Sequence, residues 1–268
     1  MASRLRPPAA ASNKCDKNFE GFDPVMSFDN RSENDLLSVK TSKRSFGIRA
    51  ADSEGRRQSA SMLISRMYAW RGYRSRFTVG DRPDEMALIA VDYHRGNAIA
   101  TLSIRLDGQE GLPADELYRE QIGQLRNDGR RLCEMVKFAI EDGVNSIQLL
   151  GALFHVAFIY AHRLQGCHDL LAEVTPTHAM FYRRLLHFEQ FGEEKLNPRV
   201  NTRGVLLRLN LEHAAQQIQQ FGGTGGAAFF KSAYAYAFSE KEERGVIERL
   251  RAIDRSPEES EAAIGTTE

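Results

Sequence analysis

Glu134 is the residue whose surroundings most favour acid–base chemistry. It lies in an apolar segment, residues 131–140, that predicts a β-strand. On a strand it shares one face with three apolar residues, Leu132, Val136 and Phe138. Desolvation on such a face raises the pKa of a carboxyl group, so Glu134 could act as a general base. The alternatives are a charge at the strand end and an ion-pair partner for a neighbouring arginine.

A second group of residues could bind a carboxylate. Ser103 and Arg105 alternate with Thr101 along a predicted strand, residues 98–106, and therefore share one face. Arginine binds a carboxylate through two parallel hydrogen bonds, which makes Arg105 a candidate for holding an acidic substrate. The alternative is a solvated charge at the strand end.

Arginines also cluster before the strand that carries Glu134. They are Arg126, Arg130 and Arg131, and a later helix adds Arg183 and Arg184. A basic patch on a protein with 36 basic and 36 acidic residues suits an acidic protein partner. Scattered, solvated arginines are the alternative. The balanced charge gives no reason to expect nucleic acid as a partner.

The elements that would position these residues follow from hydrophobic periodicity and turn signals. Strands are predicted at 46–51, 85–92, 98–106, 131–140, 169–174 and 204–211, and helices at 59–68, 114–126, 145–164 and 177–186. The order predicts an α+β fold with a mixed central sheet and helices on both faces. The helix at 145–164 is apolar around its whole circumference, so the C-terminal helices or a second subunit, as in a homodimer, must cover it.

Composition divides the chain into four parts. Residues 1–44 are predicted to be a flexible arm, 45–212 a folded domain, 213–255 a helical extension with a helix at 232–253, and 256–268 a disordered tail. The most apolar run, 149–161, is shorter than the roughly 20 residues that span a bilayer, so no membrane span is expected. Three scattered cysteines and no secretory signal favour the cytoplasm and give no metal site.

Three segments resemble the GNAT acyltransferase superfamily: RLCEMVKFAI at 131–140, DLLAEV at 169–174 and FYRRLLHF at 181–188. The segments WRGY at 70–73, ATLSIRL at 100–106 and TPTH at 175–178 resemble more closely the long-chain N-acyl amino acid synthases, relatives of the acyl-homoserine-lactone synthases. The resemblance covers about residues 46–211. It implies a GNAT-like fold and transfer of an acyl group from a thioester to the amine of an amino acid.

The resemblance also implies roles for individual residues. Glu134 would deprotonate the amine, Tyr182 would protonate the leaving thiolate, and His178 would contact the reactants. Trp70 and Arg71 would belong to a segment that covers the substrate. Their structural alternatives are a core aromatic for Tyr182, a polar helix start for His178 and a packed helix exit for Trp70. One extra residue between Tyr182 and Phe188, relative to the family pattern, separates this chain from its relatives.

The loop at 141–145, EDGVN, departs from the glycine-rich loop with which many relatives bind the pyrophosphate of coenzyme A. Its two carboxylates would repel a pyrophosphate. No bound cofactor is expected, and the donor is predicted to be an acyl-phosphopantetheine thioester on an acyl carrier protein, which has no pyrophosphate. The basic cluster Arg126, Arg130 and Arg131 would then bind the carrier.

Three alternatives remain at this point. The chain could use acyl-coenzyme A to acetylate a small amine. It could be a GNAT-like binding module without activity. It could be a lactone synthase, although only fragments of that signature are present.

Overall fold

A computed structural model describes residues 45–70, 78–80, 82–142, 144, 147–198, 201–225 and 232–254. Eight strands form a mixed sheet in the order β1-β2-β3-β4-β5-β8-β6, with β7 paired to β8. They are β1 (Phe46–Ala50), β2 (Glu85–Asp92), β3 (Ala98–Leu106), β4 (Leu132–Ile140), β5 (Asp169–Val174), β6 (Glu189–Gln190), β7 (Lys195–Asn197) and β8 (Thr202–Asn210). The N-terminal arm and the C-terminal tail predicted at 1–44 and 256–268 lie outside the described residues.

Six α-helices accompany the sheet: α1 (Glu54–Trp70), α2 (Asp115–Asn127), α3 (Ile147–Phe158), α4 (Pro176–Leu186), α5 (Leu211–Phe221) and α6 (Glu240–Asp254). A π-helical segment, Ile159–Leu164, continues α3, and a short 3-10 helix, Ala233–Tyr236, precedes α6. Helices α1 and α2 pack on one face of the sheet, and α3, α4 and α5 pack on the other. The predicted mixed sheet with helices on both faces is confirmed.

The β2–β3 hairpin has the predicted bounds. The Asp92 carboxylate accepts hydrogen bonds from the backbone N–H groups of His94 and Arg95 at 2.7 and 2.9 Å. Gly96 follows with φ = 69°, a left-handed conformation that a side chain disfavours. The turn therefore fixes the register that places Arg105 beside Glu85.

Strands β4 and β5 pair only at their first residues. Leu132, Cys133 and Glu134 are in register with Asp169, Leu170 and Leu171, and the parallel pairing stops there although both strands continue. Beyond Glu134 the two strands diverge and leave backbone N–H and C=O groups without ladder partners. The sheet is therefore splayed between β4 and β5.

A β-bulge interrupts β4 at Lys137. The β3–β4 register shifts between Thr101 and Ser103, so that one extra residue enters β4. Lys137 has φ = 53°, which is unusual for a residue with a side chain. The bulge moves Phe138 into the core with α3, on the face opposite Glu134. The prediction that Phe138 shares the face of Glu134 was therefore wrong, because the alternation of side chains is reset by one residue.

Helix α3 is buried on all sides, as its sequence predicts, over the residues from Leu149 to Phe158. Its cover comes from this chain. The 3-10 helix packs along α3, and α6 packs on the π-helical segment. By length and composition the helix Ile147–Leu164 could cross a membrane, but 72% of it is buried inside this fold. Helix α3 thus gives no reason to require a second subunit.

The C-terminal elements differ from the sequence prediction. The strand predicted to reach residue 211 ends at Asn210. This residue caps α5, a helix at the start of the predicted helical extension whose own bounds were not predicted, by accepting hydrogen bonds from the backbone N–H groups of Glu212 and His213. The helix predicted at 232–253 begins at Glu240. Ala235 and Phe238 precede it. Ser239 starts this shorter helix with a 2.8 Å hydrogen bond from its hydroxyl to Glu242.

Candidate active site

Three charged residues form a row across three neighbouring strands. Arg105 on β3 lies opposite Glu85 on β2 and opposite Glu134 on β4, so their side chains share the face that carries α1 and α2. The Glu85 side chain is 1% exposed and Glu134 is 3% exposed. Carboxylates are rarely buried to this degree in a purely structural setting, which marks the row as a candidate site.

The bulge supplies a cation to this row. The Nζ atom of Lys137 lies 2.6 and 2.9 Å from the two carboxylate oxygens of Glu85. Arg105 donates from Nε to Asp84 at 3.3 Å, and Asp84 also accepts from Arg82 Nε at 3.0 Å. Sequence reasoning missed Asp84, Glu85 and Lys137. The one available signal was a lysine and a glutamate within otherwise apolar strands.

Glu134 lies where β4 and β5 begin to separate. One oxygen of its carboxylate accepts a 2.9 Å hydrogen bond from the backbone N–H of Ala114, directly before α2. Leu132, on the same face, packs with α2 in the same apolar cluster as Ala114. Glu134 is therefore held in place by the start of a helix. It is buried, as predicted, but its cross-strand neighbour on β3 is the charged Arg105.

Ser103 lies one pair further along the same face of β3, opposite Val136. Its hydroxyl is buried and has no hydrogen-bond partner among the described residues. Its neighbour Thr101 is equally buried, but donates to the carbonyl of Leu88 at 3.0 Å. A buried hydroxyl without a partner costs free energy unless a ligand satisfies it. Ser103 is thus placed as a substrate-contacting residue would be.

Tyr182 lies on the opposite face of the sheet. Its ring packs edge-to-face against Phe138, Phe154 and Phe188, with centroid distances of 6.4, 6.3 and 5.7 Å. His178, one turn earlier on α4, is half-buried, and its Nδ1 lies 2.7 Å from the Thr175 hydroxyl at the helix start. Tyr182 is thus packed as a core aromatic residue, and His178 lies as a polar residue at a helix start. These are the structural alternatives considered for the two residues. They reach the Glu134 face only across the gap between β4 and β5.

Three other features considered from the sequence add no contact to this site. Trp70 is the last residue of α1, and Arg71 lies outside the described residues. Burial raises the pKa of the Cys133 thiol well above its usual value, so it does not provide a nucleophilic thiolate. Among the residues that the structure describes, no three His, Cys, Asp or Glu side chains are arranged to hold a metal ion.

The predicted carrier-binding arginines are not arranged as expected. Arg126 forms bidentate ion pairs with Asp107 and Asp115, which raise its pKa. Arg130 pairs with the buried Asp169 and its pKa is also raised. Of these three arginines, Arg131 is the one that is exposed and forms no ion pair with a described residue.

The strand pairing defines where two of these arginines lie. Arg130 and Arg131 directly precede Leu132, where β4 and β5 are still paired. They therefore lie at the closed end of the gap. The carrier-binding role of Arg126, Arg130 and Arg131 stays a prediction.

The loop after β4 is less acidic than its sequence suggests. Glu141 forms an ion pair with Arg66 at 2.8 Å and accepts a hydrogen bond from the Asn97 side chain at 3.2 Å. One of the two carboxylates in the loop is thus partly neutralised by α1. The predicted repulsion of a pyrophosphate is correspondingly weaker.

These parts define a GNAT-type acyltransferase: a mixed sheet splayed between β4 and β5, a bulge in β4, and a buried polar site beside the bulge. Residues 59–210 match the family described as N-acyl amino acid synthase FeeM, and the chain belongs to that family. A search of curated protein sequences finds no match.

Several solved structures are similar to this chain, and the first of them supports the fold. FeeM, an N-acyl amino acid synthase from uncultured soil microbes, is 24% identical with a TM-score of 0.55, over 62% of this chain and 91% of that one. A putative N-acetyltransferase from Lactobacillus plantarum is 15% identical with a TM-score of 0.45, over 62% and 99% of the two chains. The AHL synthase LasI is 16% identical with a TM-score of 0.42, over 62% and 89%.

Proposed function

We propose that this acyltransferase moves a long-chain acyl group from an acyl carrier protein thioester to the amine of an amino acid, giving an N-acyl amino acid. The observation that carries the proposal is the adjacency of two features at Glu134. The gap between β4 and β5 opens there, and the buried charged row crosses β4 at the same residue. A thioester in the gap and an amine over the row would meet at this point.

The gap suits a phosphopantetheine arm. The arm contains two amides, which can pair with the backbone groups that β4 and β5 leave unpaired beyond Glu134 and Leu171. The backbone N–H groups at the Lys137 bulge would stabilise the oxyanion that forms when the amine attacks. On the far side of the gap, Tyr182 would protonate the departing thiolate and His178 would contact the reactants.

The charged row suits an amino acid. Arg105, whose guanidinium has further N–H groups beyond the one shared with Asp84, would bind the substrate carboxylate. The unsatisfied hydroxyl of Ser103 would donate to the same group. Glu134 would take the proton that the ammonium group must lose before it attacks. Trp70 and Arg71 are proposed to close over this substrate.

The carrier protein is proposed as donor because the loop at 141–145 has a single glycine and no arginine. The cytoplasm, where such carriers work, also fits the buried free thiols of Cys133 and Cys167. The Arg66–Glu141 ion pair favours a second candidate, acyl-coenzyme A, since it removes part of the repulsion that would exclude a pyrophosphate. A competition assay that offers both thioesters, on the carrier protein and on coenzyme A, distinguishes the two donors.

Mass spectrometry of lipid extracts tests the proposed reaction. Cells that overproduce the chain should contain an N-acyl amino acid that is absent from control cells and from cells that overproduce Glu134→Gln. Matched protein levels, checked by immunoblot, serve as the control. Unchanged extracts from the wild-type protein would reject the proposed function.

A further inference from the structure

We propose that residues 232–237, called here the C-terminal plug, close the far end of the acyl-chain pocket, and that Tyr234 sets the length of acyl chain that the enzyme accepts. The plug lies outside residues 59–210, so the family match assigns it no role. The inference rests on the proposed long-chain acyl transfer and names the residue that determines its specificity.

The core behind the splayed strands contains a small cavity of about 20 Å³. Its walls are apolar apart from His155 and the Tyr234 hydroxyl, and they come from α3, α4, α5, β5, β8 and the plug. The plug contributes Ala233, Tyr234 and Ala237. An apolar cavity of this kind is the chemical match for an alkyl chain.

Two aromatic rings in contact connect the wall of this cavity with the gap between β4 and β5. Phe138 lies in the unpaired half of β4, and its ring contacts Phe154 at a centroid distance of 5.9 Å. Phe154 also lines the cavity. An acyl chain on a thioester in the gap would therefore pass Phe138 and Phe154 and point at the plug.

The plug is held firmly against the cavity. Ser232 donates to the carbonyl of Leu185 at 3.2 Å, and Tyr234 donates to the carbonyl of Leu186 at 2.7 Å. Gly151 on α3 faces it so closely that a Cβ atom would lie 2.3 Å from the Ala233 carbonyl oxygen. The Tyr234 ring is thus a fixed end wall.

Because the cavity is small, its end wall determines how long an acyl chain can be. As it stands, the cavity has room for about one water-sized group. A long chain must displace side chains, and α3, β5 and β8 are held by continuous backbone hydrogen bonding. The Tyr234 side chain is the largest one that the plug places in the wall, so its ring limits how far a chain can extend.

Chain-length profiles test the proposal. Wild-type enzyme and Tyr234→Ala are assayed with octanoyl, dodecanoyl and hexadecanoyl carrier protein, and thermal stabilisation by the free fatty acids of the same lengths is measured in parallel. We expect Tyr234→Ala to shift both preferences to chains longer by roughly two to four carbons, because the lost ring fills the volume of a few methylenes. An unchanged profile in both readouts would overturn the proposal.

Further variants separate the possible failures. Tyr236→Ala makes the same change in the plug at a residue that does not line the cavity, and should keep the wild-type profile. If Tyr234→Ala does not fold, Ala214→Val tests the proposal instead. The valine fills part of the cavity from α5, so the preferred acyl chain should become shorter. An unchanged chain-length preference would again overturn the proposal. If no donor gives a product, the proposed function fails, and the fatty-acid profiles still decide whether Tyr234 ends an alkyl pocket.

Discussion

At the scale of single residues, the site depends on carboxylates kept away from water. Glu134 lies opposite Arg105 and accepts a hydrogen bond from the start of α2, and Glu85 is paired with Lys137. Buried charges that have lost hydration need such partners to be tolerated. The row of Glu85, Arg105 and Glu134 therefore has a structural cost, which the proposed substrate binding and proton transfer would explain.

The first prediction concerns Glu134. Replacement by glutamine keeps an oxygen that can accept from the Ala114 N–H, but removes the proton acceptor. We expect kcat to fall by roughly 100- to 10,000-fold, the range for loss of a general base. The melting temperature should stay close to that of the wild type. Activity within twofold of wild type would exclude Glu134 as the base.

The second prediction concerns Ser103. Since its hydroxyl is buried without a partner in the described structure, Ser103→Ala should leave the free energy of unfolding unchanged or slightly higher. The KM for the amino acid should rise by about tenfold, because a hydrogen bond to a charged carboxylate is lost. Thr101→Val is the matched control, since Thr101 already bonds within the protein. An unchanged KM would show that Ser103 does not contact the amino acid.

At the scale of elements, the sequence predicted the regular parts of the fold well. Strands β2, β3 and β5 have the predicted bounds, because alternation and turn residues specify them locally. The bulge could not be predicted, since a lysine at φ = 53° carries no local signal and is held there by the register with β3 and the ion pair with Glu85. The site residues missed from the sequence, Glu85 and Lys137, depend on this bulge.

Helix α5 shows an error of a different kind. Its residues Leu211, Ala214, Ala215 and Ile218 are spaced as on one helical face, and Asn210 is a favourable N-cap. The signal was therefore present in the sequence. It was hidden by the strand that runs directly into the helix, without a loop between them.

The third prediction concerns the attachment of α6. Its Glu243 carboxylate lies 3.5 Å from Nε2 of the buried His155 and 3.3 Å from Arg163. These contacts, chiefly with His155, lower the pKa of Glu243 below its ordinary value of 4.5. A lowered pKa in the folded state stabilises the protein above the unfolded pKa, and the contribution is lost as the pH falls through the folded pKa.

Glu243→Gln should therefore cost about 1 kcal/mol of unfolding free energy at neutral pH, the upper range for a partly exposed pair. The difference should shrink progressively below pH 4.5. Urea unfolding at neutral and acidic pH measures both values. Glu240→Gln, in an exposed pair with Arg244, is the matched control and should show little effect at either pH. A difference that persists in acid would show that the ion pair is not its source.

At the scale of the whole molecule, β4 divides the protein into two working sides. The face with α1 and α2 carries the charged row, and the face with α3, α4 and the plug carries aromatic and apolar residues. The gap beyond Glu134 joins them. In the proposed reaction, the charged face would take the polar amino acid and the apolar face would take the acyl chain.

A reconstituted reaction tests the proposed transfer of an acyl group from a carrier protein to an amino acid. Purified enzyme is given a mixture of amino acids with the same long-chain acyl group on acyl carrier protein or on coenzyme A, and N-acyl amino acids are measured by mass spectrometry. We expect product from the carrier thioester, with a higher kcat/KM than from coenzyme A. Equal or faster turnover of acyl-coenzyme A would contradict the donor assignment, and no N-acyl amino acid from either donor would contradict the proposed reaction.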